Sequence, residues 1–94
     1  TVTKLALKFA EPFWDIETQY FGIMTSEKGR WNYWLNYRTF SNENILLGLS
    51  VGAYAPVADR MTDAEQIADG MDVLRSVWGD AVTEPVRAPS TGPI

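Results

Sequence analysis

Apolar and polar residues alternate from the start of the chain. Thr3, Leu5, Leu7 and Phe9 fall on one side of an extended segment, and Val2, Lys4, Ala6 and Lys8 on the other, because successive side chains of a strand point to opposite faces. Pro12 and Asp15 end this pattern around the pair Phe13 and Trp14. A second strand is expected from Thr18 to Met24, with turn chemistry from Ser26 to Gly29. The third, Trp31 to Phe40, is the most aromatic. Its alternation sets Trp31, Tyr33, Leu35 and Tyr37 on one face and Asn32, Trp34, Asn36 and Arg38 on the other. After a turn at Asn42 to Asn44, the segment Ile45 to Val51 is apolar on both faces, as a central strand covered on two sides would be. Short links make strands two, three and four an antiparallel meander.

Beyond residue 60 the period changes. Thr62 followed by Glu65 is a capping box. Ile67, Met71, Leu74 and Trp78 then recur at helical spacing, while Asp69, Asp72 and Arg75 occupy the other side. Gly79 stands where a C-terminal cap belongs, and Pro56 suits the first turn of a short helix upstream. The expected fold class is α+β: an antiparallel or mixed sheet of about four strands, with one long C-terminal amphipathic helix packed on a face. Residues 1–85 form its folded part. Residues 86–94 turn to Pro, Ser, Thr and Gly without periodicity and read as a flexible tail.

Composition narrows the chemistry. The chain has 94 residues, enough for one domain. Twelve acidic and eight basic residues leave a net charge of −4, the wrong sign for a nucleic-acid surface. Cysteine and histidine are both absent, which removes disulfides, thiol nucleophiles, Cys/His zinc sites and histidine-based triads. Lack of cysteine fits a reducing compartment, so a cytoplasmic location is expected, and no signal peptide is visible at the N-terminus. The most apolar stretch, Ile45 to Ala58, is shorter than the roughly 20 residues a membrane span needs. None of the seven glycines forms G-x-G-x-x-G, and there is no P-loop or metal-ligand spacing. Glu11 and Asp15 flank a proline turn, which suits a loop ion pair or plain solvation better than catalysis. Trp14, Trp31 and Trp34 read as packing residues and Trp78 as the anchor of the helix.

The run Thr-Lys-Leu-Ala-Leu-Lys-Phe-Ala-Glu-Pro-Phe-Trp-Asp at residues 3 to 15 resembles a segment of the flavin-containing amine oxidases. That family includes monoamine oxidases, polyamine oxidases and lysine-specific histone demethylases. Its members carry a lysine entering a strand and, ten positions later, the tryptophan of a Phe-Trp pair; here these are Lys4 and Phe13-Trp14. Tyr20-Phe21-Gly22, Trp34-Leu35-Asn36, Ile45 to Leu49, the turn Gly52 to Ala55 and Val77-Trp78-Gly79 follow in matching order. The resemblance covers residues 2 to about 85. Two departures stand out: the family's dinucleotide fingerprint is missing, and Arg87 to Ile94 replace the flavin-contacting segment expected after the helix.

The resemblance implies a fragment of the substrate-binding domain of an FAD-dependent amine oxidase, inactive by itself. The parent oxidises an amine at its CH–NH group with oxygen as acceptor. FAD is implied for the parent only and is not expected on the fragment. In the family, the lysine matching Lys4 holds a water near the flavin N5. Val2, Tyr20, Tyr33 and Leu35 match positions that line the substrate cavity, although on the residues alone a packing role in the core is slightly favoured for each, Tyr33 and Leu35 in particular. Lys8 has no family counterpart and reads as surface. The implied partners are the FAD-binding remainder of the parent chain and a small-molecule amine, with no nucleic acid and no membrane. Weak self-association is expected through the face bearing Val2, Tyr20, Tyr33 and Leu35. A different reading of the same aromatic residues is a self-contained binding module whose third strand, with Tyr33 and Trp34, offers a platform to a partner.

Overall fold

The alternation of the first segment becomes strand β1, Val2–Lys8, with Thr3, Leu5 and Leu7 buried and Lys4 exposed. The structure, a computed structural model, describes residues 2–86. Three further strands follow: β2, Tyr20–Gly22; β3, Tyr33–Asn36; and β4, Ile45–Val51. They form one antiparallel sheet in the order β1-β4-β3-β2. The meander of strands two to four is present, and β1 adds to its far side. Helices α1, Tyr54–Asp59, and α2, Asp63–Trp78, come next, and α2 is the long helix of an α+β fold.

The core lies between one sheet face and the helices. Leu5, Leu7, Phe9, Trp34 and Leu46 from the sheet meet Ala58, Met71, Val73 and Leu74 from the helices. Gly48 and Gly70 let these layers close: a Cβ on Gly48 would lie 2.7 Å from the Trp34 ring, and one on Gly70 2.5 Å from Leu5 Cδ2. Phe9, Phe13, Trp14, Phe21 and Trp78 continue the core in edge-to-face contacts, with centroids 4.8–5.8 Å apart, a favoured aromatic geometry. Among the described residues the buried side-chain polar atoms are paired except Asn32 Oδ1. Asn36 accepts from the Trp14 indole at 2.9 Å and donates to the carbonyls of Ile16 and Thr18, which pins the loop between β1 and β2.

Several boundaries differ from the sequence pattern. The second strand keeps only Tyr20–Gly22 of Thr18–Met24, and the third only Tyr33–Asn36 of Trp31–Phe40. Tyr37–Thr39 winds into a 3-10 turn because Asn36 caps it, accepting from the Arg38 N–H. Trp31 does not share a face with Tyr33. Its φ of 40° turns it into the core, where it is fully buried; this sparsely populated conformation is held by its N–H donating to Ser50 Oγ at 3.0 Å. The strand β4 is central, yet helices cover only one of its faces. Val86 donates to the Lys8 carbonyl at 2.7 Å along the free edge of β1; the rest of the expected tail, 87–94, lies outside the described residues.

Candidate functional site: the open sheet face

The face of the sheet turned away from the helices carries every residue picked out as a candidate from the sequence. The strand register decides which of them are neighbours. One row across the four strands runs Lys4, Leu49, Tyr33, Gly22. The next runs Ala6, Leu47, Leu35, Tyr20, and Val2 pairs with Val51 at the margin. Val2 is 51% exposed, Tyr20 55% and Tyr33 39%, while Leu35 is half-buried. The rings of Tyr20 and Tyr33 lean together with centroids 6.1 Å apart. Large apolar side chains exposed together mark a surface that meets something else.

Charge on this face is sparse. Lys8 pairs with Glu43 at 2.7 Å. Lys4 is exposed and has no hydrogen-bond or ion-pair partner among the described residues. None of the strand positions facing this side is acidic. Lys4 is therefore a cation at one end of an apolar row, with three donors available to a water or ligand. Leu47 and Leu49 belong to this surface and were missed in the sequence, where β4 read as covered on both sides. Only the register, not the local pattern, seats Leu49 between Lys4 and Tyr33.

Trp14, ten residues beyond Lys4, is on the opposite side of the sheet, buried against Phe9 and Phe13. It and Lys4 are thus two ends of one folding unit and do not meet in a site. Trp34 is fully buried, its indole N–H donating to the Trp31 carbonyl at 2.7 Å. It is not available as a binding platform.

A second polar constellation lies at the helices. Asp69, placed by the helical pattern on the outer side of α2, instead takes four hydrogen bonds. Arg30 donates to Oδ1 through Nε at 3.1 Å and Nη2 at 2.7 Å, while the Trp31 indole and the Tyr54 hydroxyl reach Oδ2 at 2.8 and 2.6 Å. Burial works to raise its pKa, but the hydrogen bonds from Arg30, Tyr54 and Trp31 outweigh it and hold the carboxyl below its usual range. Burial, then the bond to Asp69, pushes Tyr54 up to about 12. The hydrogen bond to Asp69 raises Arg30 as well. Shifted groups often signal chemistry, but every oxygen here already has its donors, so the cluster reads as a fastening between the loop before β3 and both helices. A shallow groove of about 430 Å³ beside it is lined by Val57, Arg60, Met61, Glu65 and Asp72, and by none of the candidate residues.

Among the described residues no group of His, Cys, Asp or Glu is placed to hold a metal, and no helix is long and apolar enough to cross a membrane. The first turn of α2 is closed by its own capping box, Thr62 Oγ1 accepting from Glu65 N–H and Glu65 Oε1 from Thr62 N–H. The open face is mostly apolar, with Lys4 at one end of its row. Compared with known proteins, the chain matches the sequence model of the family described as flavin containing amine oxidoreductase over residues 1–92. No curated protein matches it.

Proposed function

Since the chain belongs to the flavin-containing amine oxidoreductase family, we propose that its open sheet face is a wall of the substrate cavity of an FAD-dependent amine oxidase. Lys4 acts on the flavin side of that cavity, and Val2, Tyr20, Tyr33 and Leu35 contact the amine. The observation that carries this reading is the register: it gathers all five residues on one uncovered surface, with Lys4 as an unpaired cation beside apolar neighbours.

When bound, the flavin supplies the acceptor for the hydride that leaves the α-carbon of the amine, with oxygen taking the electrons in the end. The residues of this chain do the rest. The ammonium of Lys4 donates to a water and holds it where the imine is hydrolysed or oxygen reacts. Tyr20, Tyr33 and Leu35 exclude other water, and a dry wall favours the neutral amine, the form that gives up hydride. A flat apolar face fits the edge of a ring system. In this reading the backbone donors that the pyrophosphate needs at a helix N-terminus come from an FAD-binding domain in the remainder of a longer polypeptide. The chain alone is inactive in this reading.

Lys4→Met in the flavin-loaded full-length protein tests it. Amine-dependent oxygen consumption is expected to fall roughly 10²-fold, in the range of a positioned proton-transfer group. The melting temperature should stay unchanged, because Lys4 is exposed and unpaired. Wild-type turnover in this variant would overturn the assignment.

A further inference from the structure

We infer, resting on the cavity-wall reading above, that Gly22 is a specificity-determining position: the bare end of a lane in which the uncharged tail of the substrate lies. Gly22 differs from the other glycines of the structure. Gly29, Gly52 and Gly79 have φ values of +84°, +61° and +57°, and Gly48 and Gly70 are packed against Trp34 and Leu5. Gly22 has neither reason. Its backbone is ordinary strand, and a Cβ built on it would meet nothing within 4 Å. Glycine weakens a strand, and where it persists it often marks the close approach of a ligand or another backbone.

Its position says which side is approached. Phe21 turns towards the helices and packs on Trp78, so Gly22 and Tyr20 face the open side. Gly22 pairs with Tyr33, Tyr33 with Leu49, and Leu49 with Lys4. With strands about 4.8 Å apart, Lys4 and Gly22 are separated by about 14 Å. A substrate reacting beside Lys4 and lying along this row passes Leu49 and the Tyr33 ring. It then reaches bare backbone on β2, an edge strand of the sheet. No carboxylate stands in the row, so a second ammonium at the far end would find no partner there. The lane suits a primary monoamine with an elongated alkyl or aryl tail, and a side chain at position 22 would close it.

The test compares wild type, Gly22→Ala and Gly22→Leu in the flavin-loaded full-length protein, with a series of n-alkylamines from butylamine to decylamine. Wild-type kcat/KM is expected to rise with chain length. Gly22→Leu should lower kcat/KM for decylamine about tenfold or more while leaving butylamine within about twofold, the scale of a few apolar contacts. Gly22→Ala should fall between, with a melting temperature equal to or above that of wild type. A Gly22→Leu profile parallel to wild type would overturn the inference. So would a drop in melting temperature for Gly22→Ala, which would mean that another protein segment packs on Gly22. A wild type that oxidises none of the series would instead bring down the cavity-wall reading itself.

Discussion

At the scale of single residues, Asp69 concentrates the electrostatics of this chain. One carboxylate joins Arg30 and Trp31 ahead of β3 to Tyr54 of α1, from its own place on α2. Removing its charge leaves Arg30 poorly paired in a site only 19% exposed, so Asp69→Asn is expected to destabilise the fold by about 2–4 kcal/mol, read from urea midpoints. The pH dependence has two limbs. A carboxyl whose folded pKa is depressed contributes stability at neutral pH that is lost as pH falls below about 4. Tyr54 is raised to about 12 when folded; its contribution is complete below pH 10, the unfolded tyrosine value, and disappears as pH climbs towards 12. Tyr54→Phe should flatten the alkaline limb and leave much of the acid limb in place. A melting curve whose alkaline slope survives Tyr54→Phe would contradict this.

At the scale of elements, α2 was legible because its signals are local. The capping box, the apolar stripe and the Gly79 stop are spaced within the helix itself, and all three are present. Thr62→Ala should cost about 1 kcal/mol, a fall in Tm of about 4–8 °C for a domain this size, checked by thermal melting. Packing between elements is less forgiving. Gly48→Ala drives a methyl into the face of a fully buried Trp34 and is expected to cost about 1–3 kcal/mol, although alanine ordinarily suits a strand better than glycine. The strands were legible by type and face, but not by length. Alternation runs on through Trp31 and Tyr37, whereas the Trp31 N–H donating to Ser50 and the Arg38 N–H donating to Asn36 bend the backbone out of the sheet on either side of β3.

At the scale of the whole molecule, the sheet is two-sided in composition and one-sided in cover. Both helices pack on the face of Leu5, Trp34 and Leu46, and the face of Tyr20, Tyr33 and Leu35 has no cover among the described residues. A surface of that kind self-associates weakly when nothing else covers it. The isolated chain is expected to show a sedimentation-average mass that rises with concentration. Leu35→Glu should suppress the rise, by adding a charge to the centre of the face. A wild-type mass that stays at the monomer value at high concentration would count against an adhesive open face.

By itself the sequence determined the elements that depend on neighbours within a few residues: the alternating β1, the meander and the capped helix. The family resemblance singled out Lys4 and, separately, Val2, Tyr20, Tyr33 and Leu35; the fold puts all five on one sheet face. Tertiary structure alone decided that Leu49 and Gly22 share a row with Lys4, that Asp69 turns inward, and that Trp31 leaves its strand for the core. The physical reason is the same in each case. Strand register and buried hydrogen bonds join residues far apart in the chain, as Asp69 and Trp31 are, and no local periodicity encodes which partner each will meet.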